Sequence, residues 1–241
     1  VGGGGTTRFP AAFMRHDVEE LARFPDEGAR WLDVELIKRL TPDSHSVMEF
    51  KSVLDVTIAE KMLKFPLLGE RINGVWNLSL TNEFHMTNDS HLFKSNSGEK
   101  RLPLYEGKMI WHYEHGRGEY RYWLNHEAVE QDEIRRRSKQ ISKLLNTKKS
   151  EVDEDYVVTF PFDCYRLGFR TITGATNERA LVVSILPKRV VTGNSLTVSV
   201  AIEDRAVNGE WHEYRLYSDA ELIAINSVMS SFVCDWFIRQ K

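Results

Sequence analysis

The residues with the clearest chemical potential lie between Lys108 and Trp123. His115 and Arg117 are followed by Tyr120-Arg121-Tyr122-Trp123, so cations alternate with rings over a short span. Arg and Lys beside aromatic side chains suit nucleic acid: the cation meets a phosphate or a guanine edge, and the ring supplies a flat apolar face. Read blandly, the same run is an amphipathic strand whose Tyr120, Tyr122 or Trp123 is core. A second polar run, Arg170-Thr171-Ile172-Thr173-Gly174 with Asn177-Glu178-Arg179, lies between two apolar segments. Arg, Thr and Asn are residue types that read base edges, although Arg179 could equally anchor its own loop or pair with Glu178. Lys188-Arg189 after Pro187 is an exposed basic turn suited to phosphate, or ordinary surface charge. Pro42-Asp43 with Glu49-Phe50-Lys51 spells a nuclease-like pattern. That chemistry needs carboxylates on adjacent strands holding a divalent metal, whereas these residues fall in a helical pattern that reads as a capped helix start. His112, His115 and His126 raise the question of zinc. Structural zinc wants four Cys or His ligands in paired spacing, and Cys164 and Cys234 are remote, so no metal site is expected.

The elements that must position these groups follow from periodicity. Asp17–Leu21 and Ala29–Leu40 have helical character, interrupted by Phe24-Pro25 and Thr41-Pro42. Val47, Phe50, Leu54, Ile58 and Met62 step by three and four, predicting an amphipathic helix over 47–63. Val75–Leu80 alternates after Asn73-Gly74 and reads as a strand. Lys108–Tyr113 and Glu119–Leu124 read as two strands joined across His115–Gly118. His126–Lys149 is a charged surface helix, with Asp132–Arg136 and Glu133–Arg137 expected as four-residue pairs and a thin stripe of Ile134, Ile141 and Leu145. Tyr156–Phe160, Arg166–Ile172, Ala180–Leu186 and Leu196–Ile202 are β-branched or aromatic runs bounded by turn residues, predicting a sheet; Trp211–Tyr217 is an edge strand or loop. Ser218 with Glu221 makes a capping box that opens a helix with Leu222, Ile225, Met229, Phe232, Val233 and Trp236 on its apolar face.

Composition sets wider bounds. The chain has 241 residues, a net charge of −3 and 41% hydrophobic residues. It can build a sizeable core and is not a uniformly basic DNA-coating protein, but one basic face remains compatible because phosphate contacts are local. Two cysteines point to a reducing cytoplasm rather than a disulfide framework. No run is apolar enough for a membrane span or signal peptide. The start at Val1 with Gly2–Gly5, and the end at Arg239-Gln240-Lys241, read as a segment of a longer protein.

Several motifs resemble one known family. Leu102-Pro-Leu-Tyr-Glu-Gly-Lys-Met-Ile110 with His115-Gly116-Arg117 is similar to a signature of large bacterial adenine-N6 DNA methyltransferases, which include single-chain restriction–modification enzymes and phage-defence relatives. Phe65-Pro-Leu-Leu-Gly69, Glu83–Phe93, Tyr165–Arg170, Thr176–Leu181 with Ile185-Leu-Pro187, Asn226-Ser227, and Asp235 with Arg239-Gln-Lys241 resemble further blocks in the same order, from about Val47 onward. Ala180 replaces a usual Thr, and Glu114–Arg117 departs from an Asp-His-Arg core. In that family the signature lies downstream of the catalytic domain, where DNA recognition begins.

The resemblance implies an α+β (α/β) target-recognition portion with a mixed, mostly antiparallel sheet and flanking helices. Residues 1–45 would form a linker or helical segment, and 46–241 the recognition-like domain. Its partners would be double-stranded DNA and the catalytic methyltransferase domain of the same parent chain. The implied DNA-binding residues are Lys108, His115, Arg117, Tyr120, Arg121, Arg170, Thr171, Thr173, Asn177, Arg179, Lys188 and Arg189. The parent would use S-adenosyl-L-methionine. This chain lacks an Asn-Pro-Pro-Tyr-type motif, since its seven prolines stand singly, and lacks a Gly-rich loop after a strand. No catalytic residue or cofactor site is therefore expected here. The alternatives are a metal-dependent nuclease using Asp43, Glu49 and Lys51, or a non-DNA interaction domain.

Overall fold

The computed structural model describes residues 4–72, 78–147, 159–174 and 176–240. The protein is mixed α and β, with several small, largely antiparallel sheets and flanking helices. It divides into two compact units, residues 1–70 with 236–241, and residues 71–235.

In the first unit, β1 (Arg8–Ala11) pairs antiparallel with β2 (Arg30–Asp33), placing Arg8 opposite Asp33 and Ala11 opposite Arg30. Helix α1 (Val18–Ala22) is capped by Asp17, whose carboxylate accepts the Glu19 N–H. Helix α2 (Val34–Leu40) leaves β2 directly. The expected helical stretch 29–40 is thus a strand followed by a helix. Helix α3 (Val53–Met62) is also shorter than the predicted 47–63. Ser52 and Asp55 form a reciprocal capping box, with Asp55 N 3.2 Å from Ser52 Oγ and Ser52 N 2.7 Å from Asp55 Oδ2. Before that cap the chain buries Met48 and Phe50, two residues apart, and the Glu49 N–H donates to Gln240 O at 3.0 Å. Period-two burial replaces the helical period there, and Leu54, expected on the apolar face, is exposed. Leu32, Ile37, Leu40, Met48, Phe50, Ala59 and Leu63 form the core.

In the second unit, a four-stranded antiparallel sheet has the order β3 (Leu80–Thr81), β11 (Leu196–Ser199), β8 (Arg166–Arg170), β9 (Val183–Leu186). A three-stranded sheet places β4 (Arg101–Tyr105) between β10 (Val191–Thr192), which is parallel to it, and β7 (Trp123–Asn125), which is antiparallel. A ribbon pairs β12 (Ile202–Val207) with β13 (Glu210–Arg215), and a short hairpin pairs β5 (Ile110–Trp111) with β6 (Glu114–His115). The hairpin corrects the expected strands 108–113 and 119–124. The chain turns back at His112-Tyr113, and the later aromatic run joins β4 through Trp123 instead. Only the end of the predicted 75–80 strand falls among the described residues, at Leu80; most of 156–160 and the end of the 126–149 helix lie outside them.

Helix α4 (His126–Leu144) starts at Asn125, whose side chain accepts the Ala128 N–H at 3.2 Å. It is not a surface helix throughout. Val129, Glu133, Arg137, Ser138, Ile141 and Ser142 are buried. Asp132 pairs with Arg136 as expected, at 3.2 Å. Glu133 does not pair with Arg137; it pairs with Arg136. Arg137 instead grips the ribbon. Its Nε donates to Asp204 at 2.9 Å, its Nη2 donates to Asp204 and to Glu213 at 2.9 Å, and its Nη1 donates to Thr159 O at 2.8 Å. Trp211 Nε1 donates to the same Asp204 at 2.9 Å. A buried guanidinium needs several acceptors, and the local helix pair offers only one carboxylate.

The Ser218 capping box opens α5 (Asp219–Met229), which buries Leu222, Ile225 and Met229. The helix then breaks at Ser230 and resumes, bent by 59°, as α6 (Phe232–Arg239). Because of that break Phe232 and Val233 do not continue the apolar face: they are 79% and 54% exposed, and Trp236 is half-buried. Among the described residues no single helix is long and apolar enough to cross a membrane.

Candidate nucleic-acid interface

The structure brings four of the expected residues together. Lys108, Arg117, Arg121 and Arg170 line one open depression of about 620 Å³ with Trp111, Gly118 and Glu119. Arg170 ends β8 and is the anchored member. Its Nε donates to Gly107 O and its Nη2 to Ile110 O, both at 2.8 Å, and its guanidinium lies 5.1 Å from the Trp111 ring centroid. Burial first, and then the nearby Arg117 charge, lower its pKa from the ordinary guanidinium value. The Arg117 guanidinium lies 5.6 Å from the Trp111 ring and its Nε 3.5 Å from a Glu114 carboxylate oxygen. Lys108 and Arg121 share Glu106, at 3.2 and 3.7 Å, and Arg121 also lies over Tyr122.

Gly107 explains how the hairpin comes so close to β11. Its N–H donates to Ser195 Oγ at 2.9 Å, and a Cβ on it would stand 2.9 Å from Ser195 O. Only glycine allows that approach, which delivers the Gly107 and Ile110 carbonyls to Arg170. Trp111 and Glu106 were not singled out from the sequence. A ring placed one residue before an extended His-Tyr turn gave no sign that two guanidinium groups would gather on it.

The other expected residues lie elsewhere. Tyr120 turns inward, with its hydroxyl 3.3 Å from that of Tyr105. Burial, and then the Tyr120 hydrogen bond, push the Tyr105 pKa above the ordinary phenol value. His115 Nδ1 lies 3.4 Å from the Tyr105 hydroxyl. The Thr171 hydroxyl donates to Asn194 O at 3.1 Å, and the Thr173 hydroxyl to Ala180 O at 2.7 Å. Asn177 closes a turn, with its N–H on Gly174 O. Arg179 is architectural: it donates to Ser230 O at 2.7 Å and Ser231 O at 3.2 Å, lies 3.3 Å from Asp235, and covers the Phe232 ring at 4.5 Å. It thereby satisfies carbonyls freed by the α5–α6 break. Lys188 lies over Tyr165, and Arg189 pairs with Asp163 at 3.1 Å in a left-handed turn with φ 65°.

The nuclease-like trio does not converge on strands. Asp43 is in the turn after α2, and Glu49 and Lys51 lie in the extended segment before α3. Among the described residues no three His, Cys, Asp or Glu side chains form a metal-ligand group. His126 contacts Glu130 at 3.3 Å, and the His112 ring nitrogens are buried without hydrogen-bond partners. Burial, followed by Arg179, lowers the His112 pKa and keeps its ring neutral. Compared with known proteins, the sequence matches no family model and no curated protein.

Proposed function

We propose that this chain is the DNA-recognition portion of a site-specific adenine-N6 methyltransferase of the restriction–modification kind, docking duplex DNA for a catalytic domain that uses S-adenosyl-L-methionine. The observation that carries the reading is the convergence of Lys108, Arg117, Arg121 and Arg170 around Trp111 in an open depression. Such a surface offers several cations to adjacent phosphates, and phosphate contacts supply most of the affinity for duplex DNA. Arg170, fixed by two carbonyls, presents a preset charge; Lys108, Arg117 and Arg121 extend into solvent and exchange their carboxylate partners for phosphates. Thr171 and the 173–179 loop support the strand ends and do not face the duplex. The reading also accords with the resemblance of the 102–117 segment to the start of the recognition region in those enzymes.

The test is fluorescence anisotropy with a mixed-sequence duplex at several salt concentrations. Lys108→Ala and Arg121→Ala should each reduce the slope of log affinity against log salt by about 0.9. Lys38→Ala, on α2, should leave it unchanged. Affinity that stays flat with salt, or ignores both depression variants, would remove the proposal.

A further inference from the structure

A second concave surface of the 71–235 unit is built differently. Tyr113 occupies the tip of the β5–β6 hairpin in the left-handed region, φ 59°, where a side chain other than glycine, Asn or Asp is disfavoured. Its ring is held out in solvent at 65% exposure. Tyr165 is 40% exposed and carries the Lys188 ammonium 5.1 Å from its ring centroid. Both tyrosines line one groove of about 310 Å³ with His115, Pro187, Ile223 and Asn226. Asn226, on α5, is only 4% exposed, and its Oδ1 has no hydrogen-bond partner. A buried amide oxygen without a donor is costly. Here it stands in the wall of a groove rather than in a sealed core.

These features define a ligand chemistry. Two exposed phenol rings offer flat faces, the volume is at the small end for ligand sites, and the free acceptor calls for an N–H donor. We propose that the groove binds a single unstacked nucleobase bearing an exocyclic amino group. The base lies against Tyr113 and Tyr165, its amino group donates to Asn226 Oδ1, and its phosphate lies toward Lys188. Stacking on aromatic side chains tolerates any base; the Asn226 acceptor adds the preference for the amino-bearing ones. The site is separate from the cationic depression and does not depend on duplex binding there.

The experiment is calorimetric titration of the full chain with AMP, CMP, UMP and inorganic phosphate. AMP and CMP should bind at least five-fold more tightly than UMP, and phosphate alone should give no signal. Tyr113→Gly, which also relieves the left-handed backbone, and Tyr165→Ala should each weaken AMP by roughly five-fold or more, the loss of one stacking contact. Asn226→Leu should erase the distinction between CMP and UMP, with a melting curve showing that the variant is folded. AMP binding no tighter than phosphate, or unchanged in the Tyr113→Gly/Tyr165→Ala double variant, overturns the proposal. A chain that binds AMP in this pattern without salt-sensitive duplex binding supports the groove and removes only the duplex reading.

Discussion

Replacing Arg166 by Met should unfold the 71–235 unit far more readily than any surface change. Arg166 starts β8 and its side chain is 1% exposed. It pairs with Glu83 and donates from Nη2 to Val190 O at 2.7 Å. Glu83 in turn accepts the Thr192 N–H and hydroxyl, both at 2.8 Å. One ion pair therefore ties the segment before Phe84 to β8 and β10. In Arg166→Met the carboxylate keeps the two Thr192 donors but loses its only printed cation while remaining mostly buried. Breaking a buried pair in this way costs about 3–5 kcal/mol. For a chain of this size that is a fall in Tm of roughly 6–20 °C. The double variant Arg166→Met/Glu83→Gln removes both charges and should recover about 2 kcal/mol or more of the loss, because the stranded charge, not the missing attraction, dominates. Urea unfolding followed by tryptophan fluorescence measures all four corners of the cycle. If Arg166→Met stayed within about 0.5 kcal/mol of the parent, as exposed substitutions do, or if the two single losses simply added, the reasoning would be refuted.

Three further outcomes are expected. Burial outweighs Arg136 and Arg137 in raising the Glu133 pKa above its ordinary value; its protonated form is thus favoured by folding, and the stability it contributes at low pH is lost as pH rises through that raised value. Glu133→Gln should accordingly gain stability relative to the parent between pH 4 and pH 7, and a melting-temperature difference that is flat or opposite in sign across that window would contradict it. Leu222→Ala, at 1% exposure, should cost about 2–5 kcal/mol in denaturant unfolding, whereas Phe232→Ala should cost only about 0.5–1 kcal/mol through the lost Arg179 contact; equal costs would mean that Phe232 is core after all. Gly168→Ala would bring a Cβ within 2.9 Å of Leu186 Cδ1 and Cγ in the neighbouring strand and should destabilise by about 1–3 kcal/mol, with Leu186→Ala in the same chain relieving the clash.

The sequence was most legible where the determinants are local. The Ser218–Glu221 capping box, the Asp132–Arg136 pair and the β8, β9 and β11 runs depend on residues a few positions apart, and they stand where periodicity put them. Arg137 was misread because its partners, Asp204 and Glu213, are 67 and 76 positions away, and a one-dimensional pattern rewards the nearer Glu133. The helix over 47–63 failed at its start for a readable reason: Ser52 and Asp55 spell a cap, but the apolar steps of three and four continue through it. The continuous C-terminal helix failed because nothing in Met229-Ser230-Ser231-Phe232 signals a 59° bend. In the cationic depression the cations were legible as types, while their assembly around Trp111 depends on Gly107 approaching Ser195, 88 positions on.

That bend has a consequence for how the molecule breathes. Asp235 Oδ1 accepts the N–H groups of Ala180 and Leu181 at 2.7 and 2.8 Å, while Arg179 reaches back to the Ser230 and Ser231 carbonyls. Loop and helix junction thus satisfy each other's orphaned backbone groups, and neither can open alone without stranding the other. Amide hydrogens at 180 and 181 should exchange with solvent at the pace of the helix junction rather than at the pace of an exposed loop. A stretch whose composition reads as a polar connector between strands therefore behaves, in time, as part of the scaffold.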